Sequence, residues 1–146
     1  MRTDSRLSRV LHALLHMEHA SKPLTSETIA EMLRTNAVVV RRLLAGLRDG
    51  GYVQSEKGHG GGWVLTVSLD DITLLDVYRH AGEPALFSDL VTEDEPGCLV
   101  EQAVNAHLSA TVREAEQALL EKFGRVTVGD LAREIAGKGA HMHSPM

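Results

Sequence analysis

Residues 25–65 read TSETIAEMLRTNAVVVRRLLAGLRDGGYVQSEKGHGGGWVL. Thr25 is placed to cap a helix, with Glu27 in its first turn and Ile29, Ala30 and Leu33 facing inward. Thr35 or Asn36 caps the next helix, which runs to about Asp49 with Val40, Leu43, Leu44 and Leu47 on its core face. Gly50-Gly51 closes it, because glycine accepts the left-handed conformation that ends helices. Tyr52–Lys57 and Trp63–Thr66 have strand character, and the five residues Gly58–Gly62 between them are mostly glycine. The order is helix, turn, helix, then a β-hairpin wing. That layout sets a helix end and a basic loop against duplex DNA.

The rest of the chain is mainly helical. Leu7, Val10, Leu11, Leu14 and Leu15 follow the spacing of a buried helical stripe, which predicts a helix over Ser5–His19. Asp70-Asp71 is expected to cap a helix from Ile72 to His80, with Ile72, Leu75 and Val77 or Tyr78 packing. A long helix follows from about Leu99 to Phe123, and Thr127 caps a short last one, Val128–Ala136. The expected organisation is a winged helix-turn-helix domain over 1–82, a linker or sensor loop over 83–98, a dimerisation helix and terminal helix over 99–137, and a disordered tail over 138–146. Leu108, Val112, Ala115, Leu119 and Phe123 are spaced 4, 3, 4 and 4 along the long helix, close to a coiled-coil seam. The seam packs either on the partner in a homodimer or back on its own winged domain. The dimer is preferred, since winged regulators read paired half-sites through their own two-fold symmetry.

Composition narrows the function classes. The 146 residues carry a net charge of −5, unevenly spread. Residues 1–66 hold nine Lys/Arg and six Asp/Glu, a balance of +3; residues 67–146 hold six and fourteen, a balance of −8. The amino-terminal half is therefore the basic face that could meet phosphates. With 3% aromatic residues, the core must be built from aliphatic side chains. One cysteine excludes an intrachain disulfide framework and fits a reducing, cytoplasmic setting. No apolar run reaches membrane-spanning length and no charged-then-apolar leader opens the chain, so no membrane partner is expected.

Several side chains carry candidate chemistry. Thr35, Asn36, Val38 and Val39 would enter the major groove, with Arg41 and Arg42 one turn later. Asn pairs bidentately with adenine, Arg with guanine, and Val touches the thymine methyl. One core face leaves one of Val38 and Val39 exposed. For each arginine singly, phosphate contact is the commoner role. In the wing, Lys57, Gly58, His59, Gly60 and Gly61 would fit against the backbone or minor groove. The string His59-Gly60-Gly61-Gly62-Trp63 matches an esterase oxyanion loop, but no Gly-x-Ser-x-Gly elbow accompanies it, and no enzyme is expected. His12, His16 and His19 fall at i, i+4 and i+7 on the first helix; a shared metal competes there with a plain histidine edge, which is preferred. Cys98 follows Pro96-Gly97 at the start of the long helix. It is either a sensing thiol, activated by backbone N–H groups against the opposing charge of Glu93, Asp94 and Glu95, or a small capping residue.

Together, the reader-helix string Thr35–Leu44, the Leu47–Val53 turn, the glycine wing Gly58–Leu65 and Ile72-Thr73-Leu74-Leu75-Asp76-Val77 resemble the IscR/NsrR/CymR regulators, the Rrf-two family of bacterial winged-helix transcription factors, and most of all its YwnA-like branch. The resemblance implies a homodimer on a partly palindromic operator in double-stranded DNA, usually a repressor, responding to an effector of unspecified chemistry. By position it gives the reader role to Asn36 through Arg42 and the wing role to Gly58–Gly62. Cluster-binding members carry three cysteines before the long helix, whereas this chain has only Cys98 there. A [2Fe–2S] cluster held by three thiolates of one subunit is thereby ruled out; the resemblance leaves His, Glu or Asp as ligands in some relatives, but no cofactor is expected here. A winged protein-interaction module without DNA contact is the alternative reading.

Overall fold

The protein is described here from a computed structural model covering residues 5–87 and 97–138. Six helices and one hairpin occur among them: α1 Arg6–His19, α2 Ser26–Leu33, α3 Ala37–Asp49, β1 Val53–Glu56, β2 Gly62–Leu65, a 3-10 turn at Leu69–Asp71, α4 Leu74–His80, α5 Leu99–Phe123 and α6 Val128–Gly137. This is the expected winged helix-turn-helix with a long carboxy-terminal arm.

Local signals place the first three helices. α1 buries Val10, Ala13, Leu14 and Met17, one stripe of its surface. At the start of α2, the Thr25 hydroxyl accepts the N–H of Thr28 at 3.0 Å. Of the two caps considered for α3 it is Asn36 that serves, its Oδ1 accepting the Val39 N–H at 3.0 Å. α3 buries the expected Val40, Leu43, Leu44 and Leu47. It ends at Gly50, followed by Gly51 with φ +82°.

Trp63 ties the wing to these helices. The strands pair antiparallel in the register Val53 with Leu65 and Glu56 with Gly62. Trp63 also forms a short antiparallel bridge to Leu24, with backbone bonds of 2.7 and 3.2 Å. Its indole Nε1–H donates to the buried Ser26 hydroxyl at 2.9 Å, so the one tryptophan joins the wing's second strand to the first turn of α2. A buried indole N–H without that acceptor would cost about 1–3 kcal/mol.

The region after the wing departs from expectation. Asp70-Asp71 does not cap a helix beginning at Ile72. Those aspartates belong to the 3-10 turn, which Ser68 caps, and Ile72 is extended. α4 starts two residues later, where the Thr73 hydroxyl accepts the Asp76 N–H at 3.0 Å and the Asp76 carboxylate accepts the Thr73 N–H at 2.9 Å, a reciprocal capping box. The cause is a distant strand. Val128 N–H donates to the Ile72 carbonyl at 2.8 Å and Leu74 N–H to the Val126 carbonyl at 2.9 Å, so Thr73 and Thr127 form a two-stranded bridge. Thr127 and Asp130 repeat the capping box, so α4 and α6 start from matched caps on the two sides of one antiparallel bridge. Ile72, Val77 and Val128 complete the core.

α5 has no buried residue along its 25 residues. It touches the winged domain at its carboxy-terminal end, where Phe123 and Tyr78 rings lie 6.4 Å apart. Leu99, Val100 and Val104 are 80%, 73% and 50% exposed. The seam residues Leu108, Val112, Leu119 and Phe123 are half-buried and none is fully covered by the winged domain of its own chain. No helix among the described residues is long and apolar enough to cross a membrane. The expected sensor loop before Gly97 and the expected disordered tail lie mostly outside the described residues.

Candidate nucleic-acid interface

The start of α3 presents a mixed apolar and basic surface. Val38 is 50% exposed, whereas Val39 is half-buried and packs on the core, which resolves which valine faces outward. Thr35 is half-buried, and its N–H closes the inter-helix turn on the Ala30 carbonyl at 2.9 Å. The turn itself is made by Arg34, a non-glycine residue at φ +55°. Asn36 is exposed, but its oxygen is engaged in the helix cap. Bidentate pairing with adenine needs that oxygen as well as the amide nitrogen, so the capping and reading roles of Asn36 compete.

Arg41 and Arg42 are both exposed on the following turn. Arg41 Nη1 lies 3.5 Å from Glu27 Oε1 at the start of α2. About two turns further along the same helix face, Arg48 holds its guanidinium 5.9 Å from the centre of the Trp63 ring. Arg41 and Arg48 border a groove of about 430 Å³ between the α2 start, α3 and the wing, together with Thr25, Glu27, Ser55 and Gly61. Arg48 and the α2 start were missed by sequence reasoning. The seven-residue spacing of Arg41 and Arg48, which puts them on one face, was the available signal.

In the wing, Lys57, Gly58, His59 and Gly60 are exposed and Gly61 is half-buried. Gly58 and Gly60 have φ of +95° and +78°, which lets the tip turn tightly enough to leave the strands in register. Arg41 and Arg48 of α3, the α2 start and the base of the wing thus share the borders of one groove. The esterase-like glycine string lies in this hairpin.

The other candidate residues sit elsewhere. His12 and His16 rings are 4.7 Å apart on α1. Burial, followed by the neighbouring His12 and His19, lowers the pKa of His16. Among the described residues no three His, Cys, Asp or Glu side chains are placed to hold a metal ion. Cys98 is a half-buried free thiol at the cap position of α5, making no side-chain cap bond. Glu93, Asp94 and Glu95 lie outside the described residues.

The sequence profile of the Rrf2 family, described as iron-dependent transcriptional regulators, matches residues 3–134. The chain belongs to the Rrf2 family. It is a winged-helix, DNA-binding transcriptional regulator. Two Bacillus subtilis relatives, both provisionally named HTH-type transcriptional regulators, are YwnA and YwgB. YwnA is 26% identical over 90% of this chain and 98% of its own length. YwgB is 32% identical over 69% and 70%. A crystal structure of a provisionally named transcriptional regulator from Lactobacillus plantarum superimposes with a TM-score of 0.74 at 21% identity, covering 94% of each chain. That of the B. subtilis global cysteine regulator CymR gives 0.60 at 24%, covering 92% of this chain and 98% of that one. These structures support the winged fold. None of the relatives supports a winged module that has lost DNA contact.

The iron in the family description cannot be held in this Rrf2 chain as a cluster on three thiolates of one subunit. Thiolate ligation of a [2Fe–2S] cluster needs several cysteines, and only Cys98 is present in the chain.

Proposed function

We propose that this Rrf2 protein binds a partly palindromic operator as a homodimer and represses transcription from it. Major-groove reading is assigned to Val38, Arg41 and Arg42 at the start of α3, with Thr35 and Asn36 shaping the tip. Backbone contact is assigned to the wing residues Lys57–Gly61. The observation that carries the reading is the exposure of Val38 one turn before two exposed arginines, of which Arg41 shares a groove border with the wing. An exposed valine on a helix start has no packing role here, and contact with a thymine methyl gives it one.

The test is an operator selected from a random DNA pool and titrated at about 50 and 200 mM salt. A regulator of this kind shows a tight, site-dependent component over a weaker non-specific one. Arg42→Ala is expected to weaken operator binding by about 10-fold or more, the size of one lost arginine contact. Absence of any site-dependent component in the unmodified protein would remove the reading.

We propose further that no cofactor is bound and that the signal enters near Cys98, at the root of the α5 arm. A thiol that changes state there would alter how two subunits are joined, and so the spacing of their readers. Oxidant is expected to change operator affinity of the unmodified protein and to leave Cys98→Ser unaffected. If Cys98→Ser responds as fully as its parent, the thiol has no part in sensing.

A further inference from the structure

We propose that Glu27 is a specificity-setting residue, which acts by holding Arg41 in a base-reading pose and denying it a phosphate-binding one. This rests on the major-groove role proposed for α3. Glu27 is the second residue of α2, beside the backbone N–H groups of a helix start. In helix-turn-helix complexes such helix starts are natural docking points for a DNA phosphate. A carboxylate at that point repels the phosphate.

The ion pair with Arg41, 3.5 Å long with side chains 53% and 70% exposed, is too solvated to matter much for folding. Its effect emerges when DNA displaces the surrounding water. Arg41 has two ways to meet the duplex. If it swings to a backbone phosphate, it leaves the Glu27 carboxylate unpaired beside a row of negative charges. If it stays on Glu27 through Nη1, its remaining N–H donors can still address the O6 and N7 of a guanine, which need only two. The carboxylate therefore penalises the sequence-blind contact and spares the sequence-reading one. It turns an arginine whose commoner fate is phosphate binding into a base reader. The same carboxylate lowers affinity for DNA in general.

The experiment uses the full chain and its near-isosteric variant Glu27→Gln, with Arg41→Ala and the double variant. Each is titrated against the selected operator, every single-base-pair change of it, and a random duplex, at two salt concentrations. Glu27→Gln is expected to bind the random duplex about 5- to 10-fold more tightly, with a log–log salt slope steeper by about one phosphate contact. Its discrimination at one base pair should fall by about 10-fold. Arg41→Ala should lose discrimination at that same base pair, and adding Glu27→Gln to it should change that discrimination no further. If Arg41→Ala retains every base preference while operator binding stays site-dependent, Arg41 is no reader and the proposal fails, although the regulator assignment stands. If Arg41→Ala loses the preference and Glu27→Gln keeps both it and the salt slope, Glu27 has no such role. A merely structural role for Glu27 would shift thermal stability and leave base preference and salt slope unmoved.

Discussion

A protein carrying Val104→Glu and Leu108→Glu is expected to be monomeric and to bind its operator at least about 100-fold more weakly, while its winged domain melts as before. The reason lies in α5. None of its residues is fully buried within one chain, and Val104 is half exposed one helical turn before Leu108. Each such aliphatic side chain gains about 1.5–3 kcal/mol when water is removed from it, so a row of them is a strong drive to associate. A buried, unpaired carboxylate opposes that drive by several kcal/mol. Loss of the pair matters for DNA because joining two readers makes the second half-site an intramolecular contact, at an effective concentration near the millimolar range. Once separated, each reader binds its half-site alone. Both substitutions lie far from the Phe123–Tyr78 contact with the winged domain. Sedimentation velocity and operator titration measure the two effects. A double variant that remains dimeric with unchanged affinity would place the subunit contact somewhere other than α5.

Gly46→Ala is expected to destabilise the protein by about 3 kcal/mol or more, lowering the melting temperature by roughly 6–12 °C. Helix propensity alone predicts the opposite. Gly46 sits inside α3, where alanine is favoured over glycine by about 1 kcal/mol. The tertiary contact reverses the sign. A Cβ at Gly46 would overlap the carbonyl oxygen of His80, with the carbonyl carbon at 3.1 Å. The obstacle is backbone, which cannot rotate away. His80 is also held from other sides. Its Nδ1 lies 2.8 Å from the Asp76 carbonyl, the Tyr52 ring meets it edge-on at 5.1 Å, and a Cβ at Gly50 would lie 2.6 Å from its ring. Burial and then the nearby Asp76 carboxylate raise the Tyr52 phenol pKa. To admit a methyl group, α3 and α4 must move apart, which opens the core around Leu47 and Val77 and tilts the reader helix. Thermal unfolding by circular dichroism gives the result directly; a raised melting temperature would show that the two helices do not meet this closely.

Where local chemistry decides, the sequence was legible. The Thr25 and Thr127 caps, the ends of α1, α3 and α5, the hairpin and its glycine tip all depend on residues within a few positions of one another. Aliphatic periodicity likewise identified the buried face of α3, and on α1 it found Val10 and Leu14, although the buried face turns toward Ala13 and Met17 and leaves Leu7, Leu11 and Leu15 half-buried. The candidate interface was partly visible for the same reason. Its reader tip and wing are contiguous strings, whereas the choice between Val38 and Val39, the Asn36 cap and the part taken by Arg48 and the α2 start had to wait for the packing.

What sequence alone determined about this protein is its set of helices, its wing and the family to which these belong, because capping, turn formation and helical periodicity act over fewer than about five residues. Only the tertiary structure decided where α4 begins, since Ile72 is drawn into an extended bridge by Val126 and Val128, more than fifty positions away. It also decided that Trp63 ties the wing to Ser26, that Arg41 leans on Glu27 and that Gly46 must stay bare against His80. Each of these is a meeting of groups distant along the chain, and no local preference encodes which groups will meet.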